Sequence, residues 1–263
     1  MCRLLAMISS KPASLYFHLV EAECSLLKQA KAGKQSDGWG IGYYLNGKPF
    51  IVKSPGAAYE EEDLFKNAAR EIKSNIIIAH VRKASNPRGL PREKLIGMEN
   101  TQPFNYSLYL FAHNGTVRAL KVFDRLESYK SIVKGVNDSE IYFALLIKEW
   151  EETGDPIEAL KAVEEELWKV ADGPKNPFSS LNAVFSDGER IYAVNRYVEG
   201  HGRKSLCYGD SEIFRMCYMY TGDRLVVSSE RTCDGLWSPL SDGHVLVADA
   251  CGDRVEYRIT RLK

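Results

Sequence analysis

The cysteine at position 2 is the side chain most suited to chemistry in this chain. If an aminopeptidase removes Met1, Cys2 carries both a thiol and a free α-amine. An α-amine has a reference pKa of about 7.7 to 8.0, whereas that of a lysine is about 10.4, so the amine can act as a general base near neutral pH. The sequence therefore predicts an N-terminal nucleophile that needs no separate histidine. The alternative is that Cys2 is the second residue of a buried strand.

Two neutral hydrogen-bond donors follow another apolar run, in the segment FAHNGTV. The side-chain amide of Asn114 and the backbone N–H of Gly115 are suited to stabilise a developing oxyanion, and glycine permits the tight turn that aims them. An ordinary Asn-Gly turn is the alternative.

A pair of opposite charges lies at the ends of two further elements. Arg82 in HVRKAS follows an apolar strand and can bind a carboxylate with two parallel hydrogen bonds. Asp138 in VNDSE begins a helix, where a carboxylate can receive an ammonium group or simply cap the helix. Together these side chains would hold the two ends of an α-amino acid. A surface arginine and a helix cap are the alternatives.

Other common sites are absent from the sequence. The five histidines lack metal-ligand spacing, and neither a G-x-G-x-x-G nor a G-x-x-x-x-G-K-S/T motif occurs. The six cysteines include no C-x-x-C pair, so we expect neither a disulfide scaffold nor a zinc site, and the last five are interpreted as small buried side chains. No metal and no cofactor are predicted.

Hydrophobic periodicity predicts a mixture of strands and helices. The expected strands are 3–9, 75–81, 108–113, 181–185 and 191–196, a hairpin over 40–53 that turns at Asn46-Gly47, and later strands near Phe214, Leu225, His244 and Val255. The expected helices are 14–31, 60–73 with Leu64 and Phe65 buried, 138–153 and 156–171. Grouped helices and strands joined by tight turns indicate a largely antiparallel α+β fold.

Composition restricts the class of partner. Hydrophobic residues make up 44% of the 263-residue chain and 35 basic residues balance 35 acidic ones, so no net charge attracts nucleic acid or an anionic membrane. No apolar stretch approaches the 18 or so residues of a membrane span, and the N-terminus lacks the features of a secretion signal. A cytoplasmic protein with a small-molecule or protein partner is expected.

The combined motifs resemble a known family. MCRLLA, SDGWGIGYY, HVRKAS, NTQPF, FAHNGTV and NDSE, in this order, are similar to the class II glutamine amidotransferase domain of the N-terminal nucleophile hydrolases. The stand-alone YafJ-like and Dug3-like branch is the most similar. This resemblance implies a four-layer αββα sandwich of two antiparallel sheets, the Ntn-hydrolase fold, as a single domain over 1–263 without a separate synthase domain.

The resemblance also implies roles for individual residues. Cys2 would be the nucleophile, Asn114 and Gly115 the oxyanion hole, Arg82 the ligand of the glutamine α-carboxylate and Asp138 that of its α-ammonium group. Ser85 would add a hydrogen bond to the carboxylate. We expect Asp37, Gly38 and Trp39 to lie next to the site, with a core position as the alternative for Trp39. The sequence of this loop, with Lys83, Asn86 and Pro87, departs from that of synthase-linked members.

The function expected from these roles is hydrolysis of the γ-glutamyl amide of glutamine through a thioester on Cys2. An ammonia-accepting synthase subunit would then act in trans. One alternative is a γ-glutamyl peptide or γ-glutamyl thiol hydrolase. Another is a catalytically silent binding or regulatory subunit, which retention of Met1 would favour because a blocked amine cannot act as a base.

Overall fold

Two antiparallel sheets form the centre of the computed structural model, which describes residues 1–172 and 174–262. The first sheet has the strand order β11-β9-β10-β1-β4-β2-β3. Its strands are β1 (Arg3–Ala13), β2 (Trp39–Leu45), β3 (Lys48–Ser54), β4 (Ser74–Val81), β9 (Cys217–Tyr220), β10 (Arg224–Ser228) and β11 (Trp237–Pro239). The second sheet has the order β13-β12-β8-β7-β6-β5. Its strands are β5 (Phe104–Tyr106), β6 (Tyr109–Asn114), β7 (Asn182–Ser186), β8 (Arg190–Asn195), β12 (His244–Cys251) and β13 (Arg254–Arg261).

Helices cover the outer face of each sheet. A short π-helix (Phe17–Glu21), α1 (Leu26–Ala32) and α2 (Glu62–Glu71) lie on the first sheet, and a 3-10 segment (Leu120–Ile132), α4 (Asp138–Thr153) and α5 (Pro156–Lys169) lie on the second. The four-residue α3 (Arg92–Leu95) lies in the loop after β4. The molecule is therefore the four-layer αββα sandwich that the sequence predicts.

The central strand β1 shows why the layers form. Leu4, Ala6 and Ile8 belong to the core between the two sheets, whereas Leu5 and Met7 pack under the outer helices. All five side chains are fully buried, because successive residues of a strand point to opposite faces and both faces of this sheet are covered. The continuous apolar run at the N-terminus follows from this position.

Several predicted elements are confirmed. The 40–53 hairpin turns at Asn46 and Gly47, whose φ angles are 52° and 73°, as a type I′ turn requires. Asn137 caps α4 by accepting a hydrogen bond from the Ser139 N–H at 2.9 Å. Pro156 begins α5, with Asp155 as its cap.

Three predictions about local structure are wrong. The 14–31 region is not one helix: the chain is extended at Ala22, and Ser25 then caps α1, so a serine expected inside the helix begins a new one. Leu64 is 54% exposed, although Phe65 beside it is buried. Phe214 lies in a loop before β9.

The cysteines also differ from expectation. Cys24 and Cys207 form a disulfide across 183 residues of sequence, which spacing alone does not indicate. Cys2, Cys217, Cys233 and Cys251 are free, and Cys251 is exposed rather than buried. Within 1–172 and 174–262, none of the helices is both long and apolar enough to cross a membrane.

Candidate active site

The two-residue repeat of the strands brings three predicted site residues to one end of the space between the sheets. Cys2 continues the series Leu4, Ala6 and Ile8, and Asn114 continues Leu110 and Ala112, all of which face the inter-sheet core. Arg82 follows β4 and continues the face of that strand that points to the inter-sheet core. β4 pairs with β1, and Val81 lies opposite Arg3. The ends of three strands therefore converge.

The Cys2 thiol is buried against the backbone that follows β4. Its Sγ atom lies 3.4 Å from both the carbonyl oxygen and the backbone nitrogen of Lys83. Burial raises the pKa of the thiol, although the N-terminal ammonium group, the Lys83 N–H and Arg82 oppose the rise. Asp138 adds to it. A buried thiol of this kind stays neutral at pH 7 and needs a base before it can act as a nucleophile.

Met1 precedes Cys2 in this structure, and its carbonyl oxygen accepts a hydrogen bond from Gln35 Nε2 at 2.8 Å. Burial lowers the pKa of its α-amine. The Arg3 guanidinium is buried and donates to the Cys2 carbonyl oxygen at 3.2 Å, while desolvation lowers the pKa of Arg3 to about 10. The N-terminal backbone is thus fixed on both sides of Cys2.

Asp37 holds the loop that carries Arg82. Its carboxylate accepts hydrogen bonds from the Ala84 N–H at 2.8 Å and from Arg92 Nη2 at 2.6 Å. Arg82 Nη1 donates to the carbonyl oxygens of Asp37 at 3.1 Å and Leu95 at 2.8 Å. These bonds fix one nitrogen of the guanidinium, and burial lowers the pKa of the group. Asp37 therefore acts on the loop that positions Arg82.

Asp138 joins the first turn of α4 to two loops. One carboxylate oxygen accepts a hydrogen bond from Ser85 Oγ at 2.7 Å, and the other accepts one from the Val117 N–H at 2.7 Å. The side chain is only 2% exposed. Ser85 thus contacts the residue predicted to bind the ammonium group, and its contact with a substrate carboxylate stays a prediction. Asn137, not Asp138, is the helix cap.

Asn114 is a buried amide without a partner. It is 1% exposed, and neither Nδ2 nor Oδ1 forms a hydrogen bond within the described part of the chain. Buried polar atoms in native proteins are nearly always paired, so an unpaired amide at the end of a strand indicates a place for a ligand. Gly115 follows, and a Cβ there would lie 2.0 Å from the Ser180 carbonyl oxygen.

The two histidines near these strand ends are neutral structural groups. Burial lowers the pKa of His113 and lowers that of His80 to about 3. The His113 ring bonds Ser139 Oγ and the Ser180 carbonyl oxygen, both at 2.9 Å, and His80 Nε2 lies 3.2 Å from the His113 carbonyl oxygen. Both nitrogens of His113 are occupied, so it is not free to act as a base.

Gly38 and Trp39 lie beside the site on different faces. Gly38 has a φ of 127°, and a Cβ there would lie 2.7 Å from Thr101 Oγ1, so a side chain is excluded. Trp39 points to the outer helices, where its Nε1 donates to Glu61 at 2.8 Å and its ring packs edge-on against Phe65. The structure thus places Trp39 in the core under α2.

Sequence reasoning missed three residues near Cys2. They are Lys83, whose backbone contacts the thiol, Arg3 and Gln35. Arg3 was visible as the third letter of the MCR motif, but no pattern marks Gln35 or a backbone N–H. These contacts depend on how loops pack, which local sequence does not encode.

One group of possible metal ligands occurs in 1–172 and 174–262, formed by Cys24, Cys207 and Glu230. The two sulfur atoms are bonded to each other, and the Glu230 carboxylate accepts hydrogen bonds from the N–H groups of Leu206, Cys207 and Tyr208. Sulfur atoms in a disulfide and a carboxylate that already accepts three hydrogen bonds are not suited to bind a metal ion.

Known proteins resemble this chain over most of its length. A protein of Methanocaldococcus jannaschii without a described function is 32% identical over 212 residues, which are 78% of this chain and 53% of that protein. The gamma-glutamyl-hercynylcysteine sulfoxide hydrolase of Mycobacterium tuberculosis is 27% identical over 213 residues, or 80% of this chain and 74% of that protein. The chain therefore spans about half the length of the first relative.

Solved structures share the fold. A glutamine aminotransferase class-II domain protein from Silicibacter pomeroyi superposes with a TM-score of 0.65 at 21% identity, covering 98% of both chains. Glutamine phosphoribosylpyrophosphate amidotransferase from B. subtilis superposes with a TM-score of 0.62 at 17% identity, covering all of this chain and 49% of that one. At these identities the likeness shows the Ntn-hydrolase fold.

The family model described as "Glutamine amidotransferases class-II" matches residues 1–249. A match over nearly the whole chain agrees with the two-sheet fold and indicates an enzyme with hydrolase or amidotransferase activity. This chain belongs to the class II glutamine amidotransferases.

Proposed function

We propose that this enzyme hydrolyses γ-glutamyl amides, with glutamine as the first substrate to test, through a thioester on Cys2. The observation that carries the proposal is the amide of Asn114, which has no hydrogen-bond partner among the described residues and is buried at the strand end that converges with Cys2. A tetrahedral intermediate places a negative oxygen beside the nucleophile, and a preformed donor in a buried site stabilises such an oxygen.

The other predicted residues have compatible positions. Arg82 and Asp138 both act electrostatically on the Cys2 thiol, and they carry the charges that an α-carboxylate and an α-ammonium group require. In the proposed enzyme they bind the glutamyl group, and Ser85 supports Asp138 through its 2.7 Å hydrogen bond. Gly115 supplies the second oxyanion donor.

The mechanism requires removal of Met1. The Cys2 amine then takes the thiol proton, Sγ attacks the γ-carbonyl carbon, and the proton passes to the leaving nitrogen as the amide C–N bond breaks. Water hydrolyses the thioester and releases glutamate. Burial lowers the pKa of the Met1 amine at this end of the chain, and the same effect on the Cys2 amine would favour its unprotonated form.

A γ-glutamyl peptide or thiol hydrolase is the second candidate. The mycobacterial relative is named for hydrolysis of a gamma-glutamyl-hercynylcysteine sulfoxide, which has a much larger leaving group than ammonia. For glutamine itself, a synthase subunit acting in trans would accept the ammonia. We further propose that residues 1–263 act as one glutaminase domain in the cytoplasm.

The test is glutamate release from glutamine and from γ-glutamyl compounds by the wild type and by Cys2→Ala. We expect the wild type to cleave at least one of these compounds and Cys2→Ala to lose all activity, because no other group can form the thioester. Intact mass spectrometry should show active protein without Met1.

The matched control is Cys251→Ala, which removes an exposed free thiol and should keep full activity. Undiminished activity of Cys2→Ala, or full activity of protein that retains Met1, would rule out the proposed mechanism. An inactive wild type without Met1 would instead favour a silent binding subunit.

A further inference from the structure

Met1 occupies a distinct apolar site next to Cys2. Its side chain packs against the buried cluster of Tyr197, Ile213 and Phe214, which are 6%, 6% and 4% exposed, together with Leu206. We call these four residues and Gln35 the Met1 seat. The cluster is separate from the three main cores.

Gln35 provides the polar part of the seat. The residue is 2% exposed, its Nε2 donates to the Met1 carbonyl oxygen at 2.8 Å, and its Oε1 has no hydrogen-bond partner within the described chain. A buried amide with an unpaired oxygen is costly unless a ligand provides a donor. Once Met1 is removed, Gln35 can donate to one group of an occupant and accept from another.

The seat adjoins the proposed oxyanion hole. Asn114 of β6 lies opposite Asn182 of β7, and Asn182 Nδ2 donates to the Phe214 carbonyl oxygen. Arg82 and Asp138, which we propose to bind the glutamyl group, belong to other segments of the chain. A γ-carbonyl carbon at Cys2 would therefore have the glutamyl group toward Arg82 and Asp138 and the leaving group toward the seat.

The charges around the seat are mixed: basic groups lie near the Met1 amine, and Glu212 accepts a hydrogen bond from the Tyr197 hydroxyl at 2.7 Å. Burial is the largest cause of the lowered pKa of the Met1 α-amine, and Cys2 opposes it. The nearby Arg3, Arg203 and Lys83 lower this pKa further. Basic groups that disfavour an ammonium there would favour a carboxylate. Arg203 is exposed, and its carbonyl oxygen accepts a hydrogen bond from the N–H of Ile213 in the seat at 2.8 Å.

We propose that the Met1 seat, once Met1 is removed, binds the leaving group of the substrate, and that this leaving group is an α-amino acid with an apolar side chain. The substrate class is thus γ-glutamyl dipeptides such as γ-glutamyl-methionine. The proposal rests on the hydrolysis proposed above and names its substrate. The amide C–N bond breaks as described there, and the amino acid leaves with the transferred proton on its nitrogen.

The experiment compares glutamine, γ-glutamyl-methionine, γ-glutamyl-leucine and γ-glutamyl-lysine with protein whose loss of Met1 is verified by mass. We expect kcat/KM to be about tenfold or more higher for the methionine and leucine compounds than for glutamine, because each buries an apolar side chain in the seat. For the lysine compound, kcat/KM should not exceed that for glutamine. Its ammonium group would contact the apolar side chains of the seat and lie near basic groups.

Ile213→Ala tests the seat itself, with Ile132→Ala as the matched control. Ile213 and Ile132 are 6% and 5% exposed, but Ile132 packs in the helix-covered core of the second sheet. We expect Ile213→Ala to raise KM for γ-glutamyl-methionine about tenfold and to raise KM for glutamine less, because ammonia carries no side chain into the seat. Ile132→Ala should lower the unfolding free energy by a similar amount and keep the preference for γ-glutamyl-methionine over glutamine. Phe214→Leu serves as a milder seat variant if Ile213→Ala folds poorly.

The outcomes separate this proposal from the one on which it rests. Equal kcat/KM for glutamine and the apolar dipeptides, or a preference that survives Ile213→Ala and Phe214→Leu, overturns the seat while Cys2-dependent hydrolysis stands. A wild type without Met1 that cleaves none of the four compounds overturns both proposals.

Discussion

Two asparagines face each other at the ends of neighbouring strands and have opposite environments. Asn114 ends β6 and Asn182 begins β7, and the two are paired in register and almost fully buried. Asn182 donates from Nδ2 to the Phe214 carbonyl oxygen and accepts at Oδ1 from the Arg196 N–H at 2.7 Å. Asn114 has no partner on either atom within 1–172 and 174–262.

The difference distinguishes an asparagine that stabilises the fold from one that is available to bind a ligand. A buried amide whose donor and acceptor are both paired fixes the surrounding backbone. An unpaired one costs free energy in the folded protein, and a ligand or transition state can recover that energy. Residue type and burial are the same at the two positions, so the hydrogen-bond partners alone distinguish them.

Exchanging each asparagine for alanine should give opposite results. In Asn114→Ala we expect kcat to fall about 10²- to 10³-fold, the usual effect of losing one oxyanion donor, with no loss of unfolding free energy. Asn182→Ala should instead lower the unfolding free energy by about 2 kcal/mol, because it leaves the buried Phe214 carbonyl oxygen and the part-buried Arg196 N–H unpaired. Steady-state kinetics and urea unfolding of both variants check this. A stability loss in Asn114→Ala as large as in Asn182→Ala would remove the distinction.

The same contrast applies to the aspartates at the starts of two helices. Asp138→Asn should raise KM for a γ-glutamyl substrate about 10- to 100-fold with a smaller change in kcat, because it removes the charge that pairs with the ammonium group. Asp155 accepts from two N–H groups of α5 and faces no site residue, so Asp155→Asn is the control. Asparagine caps helices as well as aspartate does, so the control should leave KM and stability nearly unchanged. Equal KM values for both variants would mean that Asp138 is only structural.

Among the substitutions of the site residues Asn114, Asp138 and Ser85, Ser85→Ala should have the smallest effect on the kinetic constants. The hydroxyl donates to Asp138, so its loss should raise KM about 3- to 10-fold and leave kcat unchanged, consistent with the loss of one hydrogen bond to a charged group. Ser131→Ala, which removes an exposed hydroxyl bonded only to the Ser128 carbonyl oxygen, should leave KM unchanged. An effect as large as that of Asp138→Asn would indicate direct contact between Ser85 and the substrate, as the family resemblance implies.

Much of the fold was predictable because its signals are local. The 40–53 hairpin follows from an Asn-Gly turn, and the start of α5 follows from Pro156. The two-helix break at Ser25 was not predicted, because a serine inside a periodic segment is either a cap or a solvent-facing residue, and only the path of the chain selects one. Leu64 illustrates the same limit, since the packing of α2 left it outside the core.

The candidate site was predictable in its residue types but not in its contacts. Cys2, Arg82, Asn114 and Asp138 lie at the element ends that their sequence contexts indicated. Sequence could not show that Ser85 bonds Asp138, that Lys83 presents backbone to the thiol, or that Cys24 pairs with Cys207. Each of these contacts joins segments far apart in the chain.

The amino-acid sequence is enough to predict that Cys2, Arg82 and Asn114 each continue the core-facing series of their strand, because a two-residue repeat is a local property of the extended backbone. Tertiary packing brings these strand ends together and places Met1 in an apolar seat. It also pairs Asn182 while leaving Asn114 without a partner among the described residues. Those outcomes depend on the packing of two sheets and a distant loop, and packing is decided by the whole chain at once.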